Sequence, residues 1–321
     1  MDAESRGIKR RPQRLVLIGS VLVDILLYVR RLPERGGDQI AERALLTTGG
    51  GLNVLVAAAR LGMSVAYAGR VGDGPMGHQV IADLEKAGIP LLLPPIKGED
   101  SGFDIGLVEP DAERTFVTSP GAESRLQDAD LVEIKLLPAD AVYVSGYDLC
   151  YPLSGKALGH WLPKLEKDIL LVIDPGPLAA EIPTERLTHI LKRTDILSLN
   201  KREASLLTGI ADEKEAAIQL ASKIAPGGIV VARAGDQGCW LVLENDRIAH
   251  HILARATSAV DTTGAGDAHV GALLAQLAAD ADIYTAAQIA NIAASLSTEK
   301  SGPSTCPTMQ ELTNVLKSLP M

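Results

Sequence analysis

One short stretch of this chain carries the residue types needed for phosphoryl transfer. Residues 261–267 read Asp-Thr-Thr-Gly-Ala-Gly-Asp and run directly into an apolar, alanine-rich segment at 268–279. A glycine-rich turn that opens a helix presents unpaired N–H groups and the positive end of the helix dipole, and both favour phosphate oxygens. Asp267 then falls in the first helical turn, where it can accept a proton from a hydroxyl that attacks a bound phosphate. The stretch therefore predicts a general base, Asp267, beside an anion hole formed by Gly264, Ala265 and Gly266.

The same spacing also fits a purely structural interpretation. Gly-Ala-Gly can be an ordinary tight turn, and the helix dipole alone favours an aspartate in a first turn. The longer string is more specific, because residues 261–274 resemble the second signature of the PfkB (ribokinase-like) carbohydrate kinases at every position. This resemblance implies that Asp267 is the catalytic base, that the glycine turn is the anion hole, and that ATP is the phosphoryl donor.

A second glycine cluster, at residues 49–53, is similar to the first signature of that family. It departs from the pattern at Leu55, where a small residue is usual, and at Thr48, which replaces a glycine. Glycines let hydroxyls reach the backbone, and an amide side chain can both donate to and accept from a hydroxyl. The alternative is a glycine-rich helix start capped by the asparagine. The resemblance implies three residues that bind an acceptor sugar: Gly50, Gly51 and Asn53.

Asp24 follows the first predicted strand, at residues 15–19. Ligands of open α/β sheets bind beyond the carboxyl ends of the strands, and a carboxylate there can accept from two hydroxyls. An isolated aspartate at this position is otherwise a common turn former. The resemblance implies that Asp24 anchors the sugar, after the Gly19-Ser20 pair.

The sequence Asn200-Lys-Arg-Glu203 follows another predicted strand and looks like the NxxE motif of the family. The resemblance implies that Asn200 and Glu203 order a magnesium ion through water, which suits a cation that retains much of its hydration shell. The same spacing is close to a helix capping box, and the two interpretations are compatible.

The resemblance also implies a nucleotide site on the same side. Arg233 is one candidate for local positive charge there, although an arginine at a strand end is commonly a surface residue. The implied ATP-binding residues are Asn200, Arg233, Gly235, Gly238, Gly264, Gly266 and Asn291. In the ribokinase branch of the family, the positions of Asp261 and Thr263 help to hold a monovalent cation, so potassium is a further possible cofactor.

Composition limits the classes of partner. The chain has 321 residues, of which 46% are hydrophobic and 22% charged, and its net charge is −9. These values are typical of globular proteins and argue against a nucleic-acid partner. The three cysteines lack the spacing of a metal site, and no run of 18 apolar residues is present. We therefore expect a cytoplasmic protein that does not associate with membranes.

Short apolar runs alternate with amphipathic stretches and predict an α/β fold. Continuous rather than alternating hydrophobicity indicates parallel strands covered by helices on both faces of a doubly wound, mostly parallel sheet. Predicted strands lie at 141–144, 169–173, 196–199 and 228–232, and predicted helices at 155–167, 201–207 and 213–224. Residues 239–243 and 248–252 flank a polar turn and predict an antiparallel hairpin at the sheet edge.

Two segments, 25–48 and 101–120, interrupt this alternation. The second contains a predicted hairpin of 105–109 and 114–118 around the turn Pro110-Asp111-Ala112. In the resembled family, strands from these places form a small β-sheet lid over the sugar and often a dimer contact. We therefore expect a homodimer through the lid. The predicted organisation is a kinase domain (14–24, 49–100 and 121–318), a β lid (25–48 and 101–120) and a flexible N-terminal tail (1–13).

The identity of the acceptor stays open at this stage. A small sugar is the main hypothesis, and a nucleoside is the alternative because Phe103 and Phe116 both fall in the lid segment. A phosphorylated sugar would need convergent basic groups, for which Arg35, Arg43 and Arg114 are candidates. A non-catalytic sensor of a sugar or nucleotide, built on a kinase scaffold, is the hypothesis from another class.

Overall fold

The computed structural model describes residues 10–110 and 113–318, and within these ranges the chain forms two β-sheets. The described strands, in chain order, are β1 (Arg14–Leu17), β2 (Val23–Tyr28), β3 (Arg43–Thr48), β4 (Ser64–Tyr67), β5 (Phe103–Val108), β6 (Arg114–Ser119), β7 (Asp140–Ser145), β8 (Leu170–Asp174), β9 (Ile196–Asn200), β10 (Ile229–Arg233), β11 (Cys239–Leu243) and β12 (Ala249–Ile252).

The larger sheet has eight strands in the order β12-β11-β10-β9-β8-β7-β1-β4. The six strands from β10 to β4 pair in parallel, whereas β11 and β12 pair antiparallel at one edge. The predicted parallel strands and the predicted edge hairpin are therefore confirmed. The carboxyl ends of the parallel strands share one edge of the sheet, where open α/β sheets bind their ligands.

Helices cover both faces of this sheet. Along β1, Leu15 and Leu17 belong to one buried cluster and Val16 to the other, as the two-residue period of a strand requires. The described helices are α1 (Leu52–Arg60), α2 (Pro75–Lys86), α3 (Asp128–Glu133), α4 (Gly146–Cys150), α5 (Pro152–Trp161), α6 (Thr184–Leu191), α7 (Lys201–Thr208), α8 (Glu213–Ala221), α9 (Ala265–Ala278), α10 (Ile283–Thr298) and α11 (Met309–Ser318). The first cluster packs under α1, α2, α9 and α10, and the second under α5, α6 and α8.

The smaller sheet, which we call the lid, has the strand order β3-β2-β5-β6. Its central strands β2 and β5 are parallel, and each pairs antiparallel with its outer neighbour. The β5–β6 pair confirms the predicted hairpin, although Asp111 and Ala112 of its predicted turn lie outside the described residues. The lid joins strands that are distant in sequence, so its central pairing has no local sequence signal.

Two sequence-based placements need correction. Asp24 does not end the first strand, because β1 stops at Leu17 and Asp24 is the second residue of the lid strand β2. The predicted helix at 155–167 begins earlier, at Pro152, and ends at Trp161, where a 3₁₀ turn (Leu162–Lys164) with proline in its first turn takes over.

The segment predicted as an N-terminal tail, 1–13, is anchored where the structure describes it. Arg10 pairs with Asp195 and donates to the Ile169 carbonyl at 3.0 Å, and the Gln13 N–H donates to the Ala139 carbonyl at 2.8 Å. Residues 1–9 lie outside the described residues. In the described part of the chain, none of the helices combines the length and hydropathy needed to cross a bilayer.

Candidate active site

The glycine turn at 264–266 forms the start of α9. Gly264 is the N-cap residue with φ of 69°, a left-handed conformation that glycine adopts without a Cβ penalty, and its carbonyl accepts the Ala268 N–H at 2.8 Å. The N–H groups of a first helical turn have no carbonyl four residues before them. The Ala265 N–H donates to the Thr262 carbonyl at 3.2 Å, which closes the turn. Asp267 occupies the third helical position, as predicted from the sequence.

The Asp267 carboxylate lies in an environment that raises its proton affinity. Burial and the nearby Asp174 raise the pKa of Asp267 to about 6, against the lowering effects of Arg233 and the Asn53 amide. A carboxylate with this pKa is ionised at neutral pH and is a stronger base than an ordinary aspartate.

Asp267 lines a cavity of about 350 Å³ between the lid and the carboxyl edge of the main sheet. A cavity of this size is within the range of small-molecule sites. It brings together all four residues that the sequence suggested for the acceptor: Asp24, Gly50, Gly51 and Asn53. We call it the acceptor cavity.

Asp24 points into the acceptor cavity from the lid. Burial, then Asp104 and Asp267, raise the pKa of Asp24 to about 7. The backbone of Gly49 lies against this carboxylate, because a Cβ at residue 49 would be 2.1 Å from the Asp24 Oδ2 atom. Gly49 therefore leaves the room in which the Asp24 side chain sits.

Asn53 is buried at the second position of α1. Gly51, not Asn53, is the N-cap residue, and it makes no side-chain capping hydrogen bond. The alternative of an asparagine cap is therefore wrong. The Asn53 Oδ1 atom accepts from the Ser304 hydroxyl at 2.7 Å, which leaves the amide nitrogen facing Asp267.

A second cavity, of about 600 Å³, lies on the other side of the α9 start. It shares Gly266 and Arg233 with the acceptor cavity, so the two cavities meet at the glycine turn. Of the residues suggested for ATP, all but one line this second cavity, which we call the donor cavity: Asn200, Arg233, Gly235, Gly238, Gly266 and Asn291. The remaining one, Gly264, lines the acceptor cavity.

Asn291 is buried in α10 and ties three elements together. Its amide nitrogen donates to the Ile252 carbonyl at 2.8 Å, and its Oδ1 atom lies 3.1 Å from Nε2 of His269. Burial lowers the pKa of His269 to about 3, so this imidazole is neutral. Asn291 thus fixes the end of β12 beside the donor cavity.

Arg233 is not the surface arginine that its position at a strand end suggested. Its side chain is 13% exposed, and it donates to Asp174 Oδ2 at 2.8 Å and to the Ser198 hydroxyl at 2.6 Å, while Glu203 lies 3.5 Å away. Burial disfavours its charge, but the two carboxylates outweigh that effect and raise the pKa of Arg233. Its positive charge is therefore balanced before any ligand binds.

Asn200 and Glu203 form the capping box of α7. The Glu203 N–H donates to Asn200 Oδ1 at 2.9 Å, and the Asn200 N–H donates to Glu203 Oε2 at 2.8 Å. Burial and Asp174 raise the pKa of Glu203. Within residues 10–110 and 113–318, no group of three histidine, cysteine or acidic side chains is arranged as a metal cluster.

Asp261 is held by a cationic side chain of the lid. Its Oδ1 atom accepts from Arg114 and from the Thr263 hydroxyl, both at 2.6 Å, and its Oδ2 atom accepts the Gly302 N–H at 2.9 Å. Burial alone would raise the pKa of Asp261, but these hydrogen bonds outweigh it and hold the pKa well below its usual value. The Arg114–Asp261 pair links the lid to the glycine turn.

The structure adds residues to the acceptor cavity that the sequence did not single out. They include Asp104, Thr118, Tyr143, Tyr151 and Asp174. Asp104 and Thr118 lie in the predicted lid hairpin, but their orientation follows from the β2–β5 and β5–β6 registers. The two-residue period of the strands could have shown that they share a face; it could not have shown which face meets the ligand.

The residues that the sequence suggested for a nucleoside or for a phosphorylated sugar lie only partly at the acceptor cavity. Phe116 lines the acceptor cavity, whereas Phe103 packs against the hydrophobic core. Arg35 and Arg43 are exposed, and Arg43 stacks on Tyr28 with its guanidinium 4.4 Å from the ring centre. Since Arg114 is paired with Asp261, these three arginines do not converge on the cavity.

Solved structures share this fold. Ribokinase from Giardia lamblia superposes with a TM-score of 0.81 at 24% sequence identity, covering 95% of this chain and 98% of that one. Adenosine kinase from Sinorhizobium meliloti superposes with a TM-score of 0.81 at 20% identity, covering 96% and 99%. The fold is therefore ribokinase-like.

Sequence similarity identifies the family. The profile of the pfkB family carbohydrate kinases matches residues 12–310, and the chain belongs to that family. The uncharacterized sugar kinase YegV of Escherichia coli (strain K12) is 32% identical over 310 residues, which cover 94% of this chain and 93% of that protein. The chain is accordingly a phosphotransferase with an alcohol group as acceptor.

Proposed function

We propose that this protein transfers the γ-phosphoryl group of MgATP to a hydroxyl of a small sugar, with Asp267 as the general base. One observation carries the proposal: Asp267 lies at the start of α9, where the acceptor cavity meets the donor cavity. An acceptor hydroxyl on one side and a γ-phosphate on the other would both be within reach of this helix start. Such positioning is the main contribution of a protein to phosphoryl transfer.

On the donor side, the N–H groups of Gly264, Ala265 and Gly266 would stabilise the charge on the transferred group. The Ala265 N–H would divide its hydrogen bond between the Thr262 carbonyl and the phosphate. Gly235, Gly238 and Asn291 would form the walls around the nucleotide, and Arg233 would lie next to its phosphates.

Asn200 and Glu203 would orient the hydrated magnesium ion that arrives with ATP. Their side chains already bond to each other and to the backbone, and a carboxylate in that state still has lone pairs for a metal-bound water. Any potassium ion at Asp261 and Thr263 would share the carboxylate with Arg114.

On the acceptor side, Asp24 would accept hydrogen bonds from the sugar, and Gly50 and Gly51 would let it approach the backbone. Gly50 has φ of 61°, and a Cβ there would be 2.9 Å from the Ser20 carbonyl oxygen, so a larger residue would be strained. The similarity to YegV, a sugar kinase by name, favours a sugar as acceptor.

A nucleoside is the second candidate acceptor. The observation in its favour is the presence of aromatic side chains, Phe116, Tyr147 and Tyr151, around the acceptor cavity, because nucleobases stack on such rings.

We further propose that the lid forms a homodimer contact. On the face opposite the cavity Ile25, Ile105, Val117 and Leu46 are cross-strand neighbours; Val117 and Leu46 are 69% and 52% exposed, whereas Ile25 and Ile105 are half-buried. Exposed apolar side chains at both edges of a small sheet are typical of an interaction surface. Sedimentation of Val117→Glu should then show a monomer, and an unchanged dimer would contradict this contact.

The experiment that tests the catalytic proposal is coupled ADP release over a panel of aldoses, ketoses, sugar phosphates and nucleosides. Turnover of an unphosphorylated sugar is expected. Preferential turnover of a nucleoside would establish the second candidate instead. Tight binding of one acceptor without ADP release would establish the sensor.

A further inference from the structure

Three polar side chains form one row across the inner face of the lid. Asp24 of β2 is the register partner of Asp104 of β5, and Asp104 is the register partner of Thr118 of β6. Neighbouring residues on adjacent strands point to the same side of a sheet, and all three line the acceptor cavity. The lid therefore presents two adjacent carboxyl groups, not one, to whatever binds there.

Next to this row on the same face, Leu26 and the Phe116 ring fill the place that a side chain at Gly106 would take. Leu26, Gly106 and Phe116 are the cross-strand neighbours two positions on, and a Cβ at Gly106 would be 2.7 Å from both Leu26 and the Phe116 ring. The missing side chain lets the Phe116 ring lie across the lid. The cavity wall thus changes from a polar row to an aromatic one, which suits a ligand with a hydroxylated edge and an apolar face.

Asp104 has bonding capacity that the protein does not use. Its Oδ1 atom is buried and has no hydrogen-bond partner among the described residues. An unpaired buried carboxylate oxygen is costly, so a ligand that donates a hydrogen bond to it would regain that energy. Burial raises the pKa of Asp104, and the Thr118 hydroxyl opposes the shift.

The acceptor cavity is strongly acidic. Five carboxyl groups line it, and among the described lining residues Arg233 is the basic side chain that faces them. Arg233 is already paired with Asp174 and Glu203. The carboxyl groups are Asp24, Asp104, Asp174, Glu203 and Asp267.

We propose that Asp104 is a second acceptor-binding carboxyl group, which acts with Asp24 as a pair that binds two hydroxyls of an uncharged acceptor and excludes acceptors that carry phosphate or carboxylate. This inference rests on the proposed function, because it names the substrate class of the same site. Asp104 contacts the acceptor away from the reacting hydroxyl, so its effect is on specificity and affinity.

The pair suits hydroxyls for a chemical reason. Two carboxyl groups this close do not both ionise easily, and Asp104 contributes to the raised pKa of Asp24. Near neutral pH the pair can hold one proton, so it can donate one hydrogen bond and accept several. A hydroxyl can satisfy either role, whereas a phosphate or carboxylate would add negative charge beside five acidic groups.

The test compares the full-length protein with Asp104→Asn, which keeps the shape and removes the charge. Asp38→Asn is the matched control. Asp38 is exposed in the loop between β2 and β3, so this substitution removes the same charge outside the cavity. Acceptor KM and kcat are measured by ADP release for D-fructose, D-glucose, D-fructose 6-phosphate and D-gluconate, and acceptor binding is measured by calorimetry.

In the wild type, turnover is expected with an uncharged sugar and not with the two anionic acceptors. Asp104→Asn should raise the KM and the dissociation constant of the accepted sugar about ten-fold or more, the scale of a hydrogen bond to a charged group, with a smaller change in kcat. Asp38→Asn should match the wild type. Unchanged ATP binding by Asp104→Asn shows that the variant is folded.

The outcomes separate this inference from the proposed function. A wild type that prefers fructose 6-phosphate or gluconate, or an Asp104→Asn variant with unchanged sugar affinity, overturns the role of Asp104 and leaves the kinase intact. If Asp104→Asn weakens sugar binding but neither the wild type nor the variant releases ADP, the role of Asp104 is supported and the proposed kinase activity is contradicted.

Discussion

The donor and acceptor sides of the site are built from different kinds of chain segment. The donor side is organised around seven consecutive residues, 261–267, whose glycine turn and first helical turn place N–H groups and Asp267 together. The acceptor side is assembled from α1, from the loop before it and from three strands of the lid. In the proposed function, a local motif would therefore set the chemistry, and long-range strand pairing would set which acceptor is phosphorylated.

The two sides also differ in electrostatics. At the donor side, the start of α9 offers N–H groups and the positive end of a helix dipole. At the acceptor side, carboxyl groups predominate, and burial raises the pKa of Asp24 to about 7. Asp267 lies between them, with a pKa raised to about 6. Changes on the donor side should act mainly on kcat, and changes on the acceptor side mainly on KM.

The largest effect is expected for Asp267→Asn, which removes the base and keeps the shape. Turnover should fall by about two orders of magnitude or more, the scale of general-base catalysis, while ATP and acceptor still bind. The measurement is kcat by ADP release, with dissociation constants from calorimetry. Asp168→Asn, an exposed aspartate remote from both cavities, is the charge-matched control.

The pH dependence gives an independent test of the same residue. Because the pKa of Asp267 is raised to about 6, the base is protonated and inactive below that pH and ionised above it. The wild-type kcat/KM, which reports the ionisation of the free enzyme, should therefore fall about ten-fold per pH unit below the pKa of Asp267. The contribution of Asp267 to this acid limb should be absent from Asp267→Asn. Near-normal turnover in this variant would end the assignment of Asp267 as base.

The sequence predicted the donor side of the site better than the acceptor side. The glycine turn, the position of Asp267 in the first turn of a helix and the parallel strands were predicted correctly, because they depend on local pattern and on continuous hydrophobic runs. Asp104 was missed because its position depends on the parallel pairing of β2 with β5, which joins distant segments. For Arg233, the alternative of a surface residue is wrong, and the sequence could not show this because its buried partners come from other strands.

The next largest effect is expected on the acceptor side, for Asp24→Ala. Loss of a charged hydrogen-bond acceptor should weaken sugar binding by about ten- to a hundred-fold and change ATP binding little. Gly49→Ala should act in the same direction, because its Cβ would lie 2.1 Å from Asp24 Oδ2 and displace that side chain. Calorimetric titration of both variants provides the measurement, and unchanged sugar affinity in Asp24→Ala would contradict the anchor.

A smaller effect is expected where the two sides are joined, at the Arg114–Asp261 pair. Arg114 comes from lid strand β6, and Asp261 begins the 261–267 stretch, 147 residues further along the chain. The pair is largely buried, with side chains 15% and 8% exposed, so the loss of Arg114 leaves an uncompensated carboxylate. Arg114→Gln should therefore disturb the donor and acceptor sides together. Arg114 acts as a positioning residue, through Asp261 and the lid.

We expect Arg114→Gln to lower kcat and raise acceptor KM together, each by less than about ten-fold, because it acts through the lid and through Asp261. Arg114→Lys should restore part of both values, since a lysine keeps the charge but not the planar guanidinium. A potassium titration adds a readout specific to Asp261. Potassium should activate the Arg114→Gln variant more than the wild type, because the Asp261 carboxylate no longer pairs with the Arg114 guanidinium. Equal potassium responses, with kcat changed alone, would show that Arg114 does not couple the lid to the donor side.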